Sequence, residues 1–175
     1  NSFYLGFPSR MLWFCYAGLI LIGIGIIKEK PELVASQLAI LTLPFIVWNI
    51  DFFYVLLTDK SLWGLTNYFF NPDFNTLGRI ITLQHIFTLP ISYVFLSFHR
   101  PKRKNFWLIS LIQISIFYIL GILFTSPESN INCVFKSCLP LSFPWPYTIT
   151  WFAIYGLIIA ITSIIIIKIF HKKLN

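Results

Sequence analysis

Two ionisable residues lie inside apolar runs: Asp51 in Trp48-Asn49-Ile50-Asp51, and His85 in Thr82-Leu83-Gln84-His85. A charge there costs several kcal/mol unless it faces a bundle interior or water, so each marks a candidate site. An aspartate that orients and charges a histidine, with a hydroxyl such as Thr66 or Thr88 nearby, has the parts for general-base or nucleophilic chemistry. Asn49 and Asn132 add amides able to position a substrate. The same groups also compose a structural hydrogen-bond cluster, and both readings stand at this level. A metal site is not expected, because His99 and His171 fall in basic flanks and leave no second imidazole near His85. No phosphate-cradling glycine motif and no Ser-His-Asp signature occur, and the residues name no cofactor.

The elements that must position these groups follow from composition. The chain of 175 residues is 57% hydrophobic and only 11% charged, with a mean hydropathy of +0.78. That is far from the mix of a water-soluble domain and predicts an integral membrane protein. The net charge of +7 follows from basic residues flanking apolar runs, where they meet anionic headgroups, and nucleic acid is not an expected partner. Five runs are long enough to cross a hydrocarbon core of roughly 30 Å: residues 11–27, 33–57, 80–98, 106–124 and 146–170. The predicted fold is all-α, a single polytopic bundle of about five transmembrane helices. The first run resembles a signal segment, but Lys28-Glu29-Lys30-Pro31 follows it instead of a small-residue cleavage site, which predicts a retained helix. Its Gly18, Gly23 and Gly25 predict close approach of a neighbouring helix.

Between the second and third runs lies an apolar, aromatic segment broken by Gly64, Asn71-Pro72 and Gly78. It is too short to span and predicts an interfacial or re-entrant element with Trp63, Tyr68, Phe69 and Phe70 at headgroup level. Asp51 stands about six residues, or roughly 9 Å, inside the end of the second helix. His85 stands five residues into the third, which starts from the same side, so an Asp51–His85 contact is expected. Thr82, His85, Thr88 and Ser92 recur at spacings of three and four and predict one polar stripe facing the interior. Pro90 frees the carbonyl of Ile86 one turn from His85, and Gln113 with Ser110 offers a further polar face.

Nine of the thirteen basic residues fall on one side: Lys28, Lys30, Arg100, Lys102, Arg103, Lys104, Lys168, Lys172 and Lys173. That side and the C-terminus are predicted cytoplasmic, with the N-terminus and residues 125–145 on the other face. Cys133 and Cys138 in that outer loop predict a short disulfide clip, with Cys15 left over in the first helix.

The order VWNIDFFYVLLT, GLTNYFFNPD, LQHIFTLP, NINCVF and a Pro-rich entry to the last helix resembles an uncharacterised family of bacterial integral membrane proteins. That family reads W-N-x-D-F, G-T-T-D-Y-M-F-D, L-F-H-x-x-L-P and N-I-N-x-V-F-G in the same order, and the likeness runs from Trp48 to the end. A weaker likeness reaches a family of integral membrane lipid acyltransferases through Trp63-Gly64-Leu65, Pro72-Asp73, His85, Asn132 and Pro144-Trp145-Pro146-Tyr147. The resemblance implies a catalytic histidine working with a cysteine beside an aspartate on the preceding helix. This chain has Trp48-Asn49-Ile50-Asp51 and no cysteine there, which leaves a hydroxyl nucleophile, a different reaction or a binding role.

Three functional expectations follow. The first is action on, or binding of, a lipid or acyl substrate near the outer leaflet, with His85 as base or acid, Asp51 as its partner, Asn49 and Asn132 positioning substrate and Thr66 as nucleophile. The second is a non-catalytic subunit of a larger membrane complex, with other membrane subunits as partners and pigment, quinone or lipid against its aromatics. The third is a small transporter, least supported because no inverted repeat is evident.

Overall fold

The structure is a computed structural model that describes residues 12–138 and 144–170. Met11, at the start of the first predicted run, lies outside the described residues, as do His171, Lys172 and Lys173. The described residues are all-helical: α1 (Phe14–Ile27), α2 (Pro31–Thr58), α3 (Asn67–Phe70), α4 (Thr76–Thr82), α5 (Gln84–Phe98), α6 (Phe106–Phe124) and α7 (Tyr147–Phe170), with a 3₁₀ turn over Ile131–Cys133.

Four spans are long and apolar enough to cross a membrane: Pro31–Thr58, Thr76–Phe98, Phe106–Phe124 and Tyr147–Phe170. The first predicted run gives the shorter α1, whose 14 residues rise about 21 Å. In each long span only 22–44% of the most apolar window is buried inside the protein, so most of these apolar surfaces face outward, as lipid-solvated helices do. The chain is therefore a helical membrane bundle.

α2 is the central element and packs against α1, α5, α6 and α7. Pro31 opens it at a position where the missing N–H costs nothing, and the helix runs through Pro44 to Thr58 without a break. At the α1–α2 turn Lys30 N donates to Gly25 O at 2.7 Å, and the two helices close tightly along glycines. A Cβ on Gly18 would run into the Leu41 side chain, and one on Gly25 would stand 2.7 Å from Val34 Cγ2, whereas one on Gly23 meets nothing within 4 Å. Two of the three glycines are thus set by packing.

Inside the bundle Gln37 on α2 and Gln113 on α6 exchange amide hydrogen bonds of 2.7 and 3.0 Å. Ser110 Oγ donates to Ser36 O at 2.8 Å beside them. These buried groups fix the register of α2 against α6, each bond contributing about 0.6 kcal/mol on average.

Gly25→Leu should destabilise the protein by about 1–3 kcal/mol through overpacking, while Gly23→Leu should leave stability unchanged. Loss of helical circular dichroism on heating in detergent measures both, and equal losses would contradict the close α1–α2 approach.

Candidate functional site

The third predicted membrane helix is broken. α4 ends at Thr82 and α5 begins at Gln84, with Leu83 at φ −60°, ψ −13° between them. Ile86 N, the donor that an unbroken helix would send to Thr82 O, donates instead to Leu83 O at 3.0 Å. The vacated Thr82 carbonyl is taken by His85 Nδ1 at 2.7 Å. A carbonyl only accepts, so Nδ1 carries the proton and Nε2 keeps its lone pair. No described residue hydrogen-bonds to Nε2. The half-buried ring lies between Trp48, stacked at 4.5 Å, and Phe45, at 4.6 Å.

Asn49 completes the α2 side. Its Nδ2 donates to Phe45 O at 2.8 Å and to His85 O at 2.9 Å. Because both partners are carbonyls, the amide has only one satisfactory orientation, and it leaves Oδ1 buried with no partner. Asn49 also lines an open apolar groove of about 450 Å³ with Ile46, Ile50, Phe53, Tyr54 and Leu57. On α5, Thr88 and Ser92 are buried on the inward stripe, and Ser92 Oγ is also unpartnered.

Asp51 is fully buried but its hydrogen bonds do not go to His85. Oδ1 accepts from Ser61 Oγ at 3.0 Å and from Leu62 N and Trp63 N at 2.9 Å each. Oδ2 accepts from Thr66 N at 2.9 Å and Thr66 Oγ1 at 2.8 Å. The expected Asp51–His85 pair is therefore corrected: at 100° per residue, Asp51 points about a third of a turn away from the face of α2 formed by Phe45, Trp48 and Asn49. Thr66 is committed too, since its buried hydroxyl donates to the carboxylate rather than to an imidazole. The carboxylate pulls residues 61–66 onto the end of α2. The one-turn α3 follows, and Phe69 and Phe70 pack on Phe52 at 5.0 and 5.5 Å. Tyr68, whose hydroxyl accepts from Trp48 Nε1 at 3.2 Å, ties this segment to the ring that stacks on His85.

Asn132 lies apart from His85. Its Oδ1 accepts from Phe14 N at 2.9 Å, its Nδ2 donates to Leu12 O at 2.7 Å, and its carbonyl accepts from Trp151 Nε1 at 2.9 Å. It secures the start of α1 and the side of α7, so both its amide atoms serve the backbone. Asn130 Oδ1 accepts from Phe135 N and Lys136 N at 3.1 and 3.2 Å. Asn130 (φ 39°) and Asn132 (φ 52°) are both left-handed, a conformation asparagine tolerates better than most residues. Cys133 and Cys138 in the same loop form a disulfide. Among the described residues no group of three His, Cys, Asp or Glu side chains is arranged to hold a metal.

Phe45 and Ser61 are the participants that no motif marks. The signal for Phe45 is its placement one turn before Trp48 and Asn49, on one helix face. No family model, curated protein or solved structure matches the chain.

Asp51→Asn should release residues 61–66 without unfolding the bundle, since one charged acceptor becomes a donor facing donors. Amide hydrogen exchange at Leu62, Trp63 and Thr66 should accelerate roughly 30-fold or more, with the α2 interior unaffected. Unchanged protection at those amides would show that the carboxylate is not the anchor.

Proposed function

We propose that this membrane protein binds a lipid or acyl substrate between α2 and the α4–α5 break, and that Nε2 of His85 exchanges a proton with it. The observation that carries this is the fixed tautomer of His85: Nδ1 is committed to Thr82 O, so Nε2 keeps its lone pair at membrane depth with no partner among the described residues. A group at such depth has a function by default, and an imidazole nitrogen with a free lone pair is suited to general-base work. The groove alongside Asn49 is apolar and open to lipid, which suits an acyl chain. Thr88, buried on the stripe one turn after the His85 region, is the substrate-side hydroxyl of this proposal.

Asp51 and Thr66 drop out of the reacting set and become positioning groups, because their hydrogen bonds are internal to the loop they hold. Asn49 stays in it, as the residue that touches both His85 and the groove. With the basic ends of α1 and α5 placed in the cytoplasm by their Lys and Arg content, the His85 site falls in the outer half of the bilayer. The weaker likeness to lipid acyltransferases points the same way, with no cysteine to carry an acyl group.

Two substitutions separate the two nitrogens. His85→Asn keeps a donor near the Nδ1 position and removes Nε2; His85→Gln reaches the Nε2 position and lacks the short Nδ1 bond to Thr82 O. His85→Asn should retain folding and lower lipid turnover by about 10²–10⁴-fold, whereas His85→Gln should lose stability as well. Mass spectrometry of membrane lipids, comparing cells with wild type, variant or no protein, reads the first effect, and thermal unfolding the second. A lipid profile that His85→Asn leaves unchanged would reduce His85 to a helix-break cap, and the structural-subunit reading would take its place.

A further inference from the structure

A second groove lies at the opposite, basic end of the bundle, about 20 Å along α2 from the His85 site. Its volume is about 550 Å³ and it is lined by Lys30, Glu32, Arg103, Asn105 and the α6 residues Phe106, Leu108, Ile109 and Ile112. The polar and apolar residues are segregated along it. Lys30, Arg103 and Asn105 are exposed at one end, while Leu108, Ile109 and Ile112 are 42%, 41% and 60% exposed on the outward face of the membrane-spanning α6.

The polar end is held in place. Glu32 Oε1, at the first turn of α2, accepts from Lys102 N at 2.9 Å and Arg103 N at 3.3 Å, which brings the loop carrying Arg103 beside the turn carrying Lys30. Glu32 is the one acid lining the groove, and that oxygen is turned to the loop. Lys28, Arg100, Lys102 and Lys104 add positive charge around it, so the field at the groove mouth favours an anion. A cationic rim leading onto an aliphatic wall at membrane depth matches an amphiphile with an anionic head.

We propose that this groove seats one anionic phospholipid of the leaflet at the basic end, its phosphate between Lys30 and Arg103 and an acyl chain along Ile109 and Ile112. The site is independent of the proposed chemistry at His85. Basic residues near a membrane attract anionic lipid in general, each by about a factor of five, so the groove is distinguished from that background by comparing charges inside and outside it.

The protein is extracted from vesicles of equal phosphatidylglycerol and phosphatidylcholine, and retained lipid is counted by native mass spectrometry. Wild type should retain phosphatidylglycerol over phosphatidylcholine by roughly tenfold or more. Lys30→Gln with Arg103→Gln should abolish that preference, while Lys102→Gln with Lys104→Gln, the same charge lost at the same end but outside the groove, should weaken it and leave phosphatidylglycerol clearly preferred. Equal effects of the two pairs, or none from the first, would overturn the proposal. If the first pair fails to fold, the wild-type protein still decides, since a retention ratio near one overturns it. Millimolar glycerol phosphate should not displace the lipid; displacement would mark a free-phosphate site and overturn the lipid assignment.

Discussion

Backbone that leaves a helix near a bilayer carries N–H and C=O groups that hydrocarbon cannot satisfy, so irregular segments must find their partners within the protein. In this chain a few side chains at helix ends meet that demand. Glu32 takes the amides of residues 102–103, Asp51 takes three amides and two hydroxyls of residues 61–66, and Asn132 takes the entry to α1. Two of the three are on α2, near its two ends. The helix that packs against α1, α5, α6 and α7 therefore also fixes a loop at each end, which couples helix packing to loop placement through one element.

The same constraint explains the polar interior. Lipid-facing surfaces provide no hydrophobic drive for helix association, so close packing and interhelical hydrogen bonds must contribute. The glycines of α1 bring it onto α2, and the Gln37–Gln113 pair ties α2 to α6. α5 is held to α2 by the rings of Phe45 and Trp48 against His85, by Asn49 and by the Thr42–Tyr93 hydroxyl contact, and its junction with α4 is a break. Backbone that has already left the helical ladder opens locally at lower cost than a continuous helix, and His85 stands at that point.

Much of the fold was legible from the runs of apolar residues alone, because the bilayer sets the length and the need for satisfied backbone leaves only helices. The inward stripe of Thr82, Thr88 and Ser92 was legible for the same reason, since helical period maps directly onto burial. The partner of Asp51 was not. Spacing from a helix end gives depth, and depth placed Asp51 and His85 together; which face of α2 meets α5, and which meets the following loop, depends on how those segments dock. The backbone contacts of Asn132 were not legible either. An asparagine whose own backbone is left-handed is placed to hold nearby chain, but that conformation becomes visible only with the loop folded.

Histidine at position 85 is explained twice over by structure alone. An asparagine could cap Thr82 O but would not fill the space between Phe45 and Trp48, and a phenylalanine could fill that space but would not cap. Only a ring with a donor does both, so the presence of imidazole is not in itself a sign of chemistry. Chemistry, under the proposed function, would belong to the other nitrogen. Capping and stacking use Nδ1 and the ring faces, and leave the lone pair of Nε2 on a half-buried ring without a partner among the described residues. Asn49, whose Oδ1 is buried with no partner, sits against the same histidine. Under the proposed function, a ligand that brings a donor of its own would meet the orphaned Asn49 Oδ1 beside the lone pair of His85 Nε2.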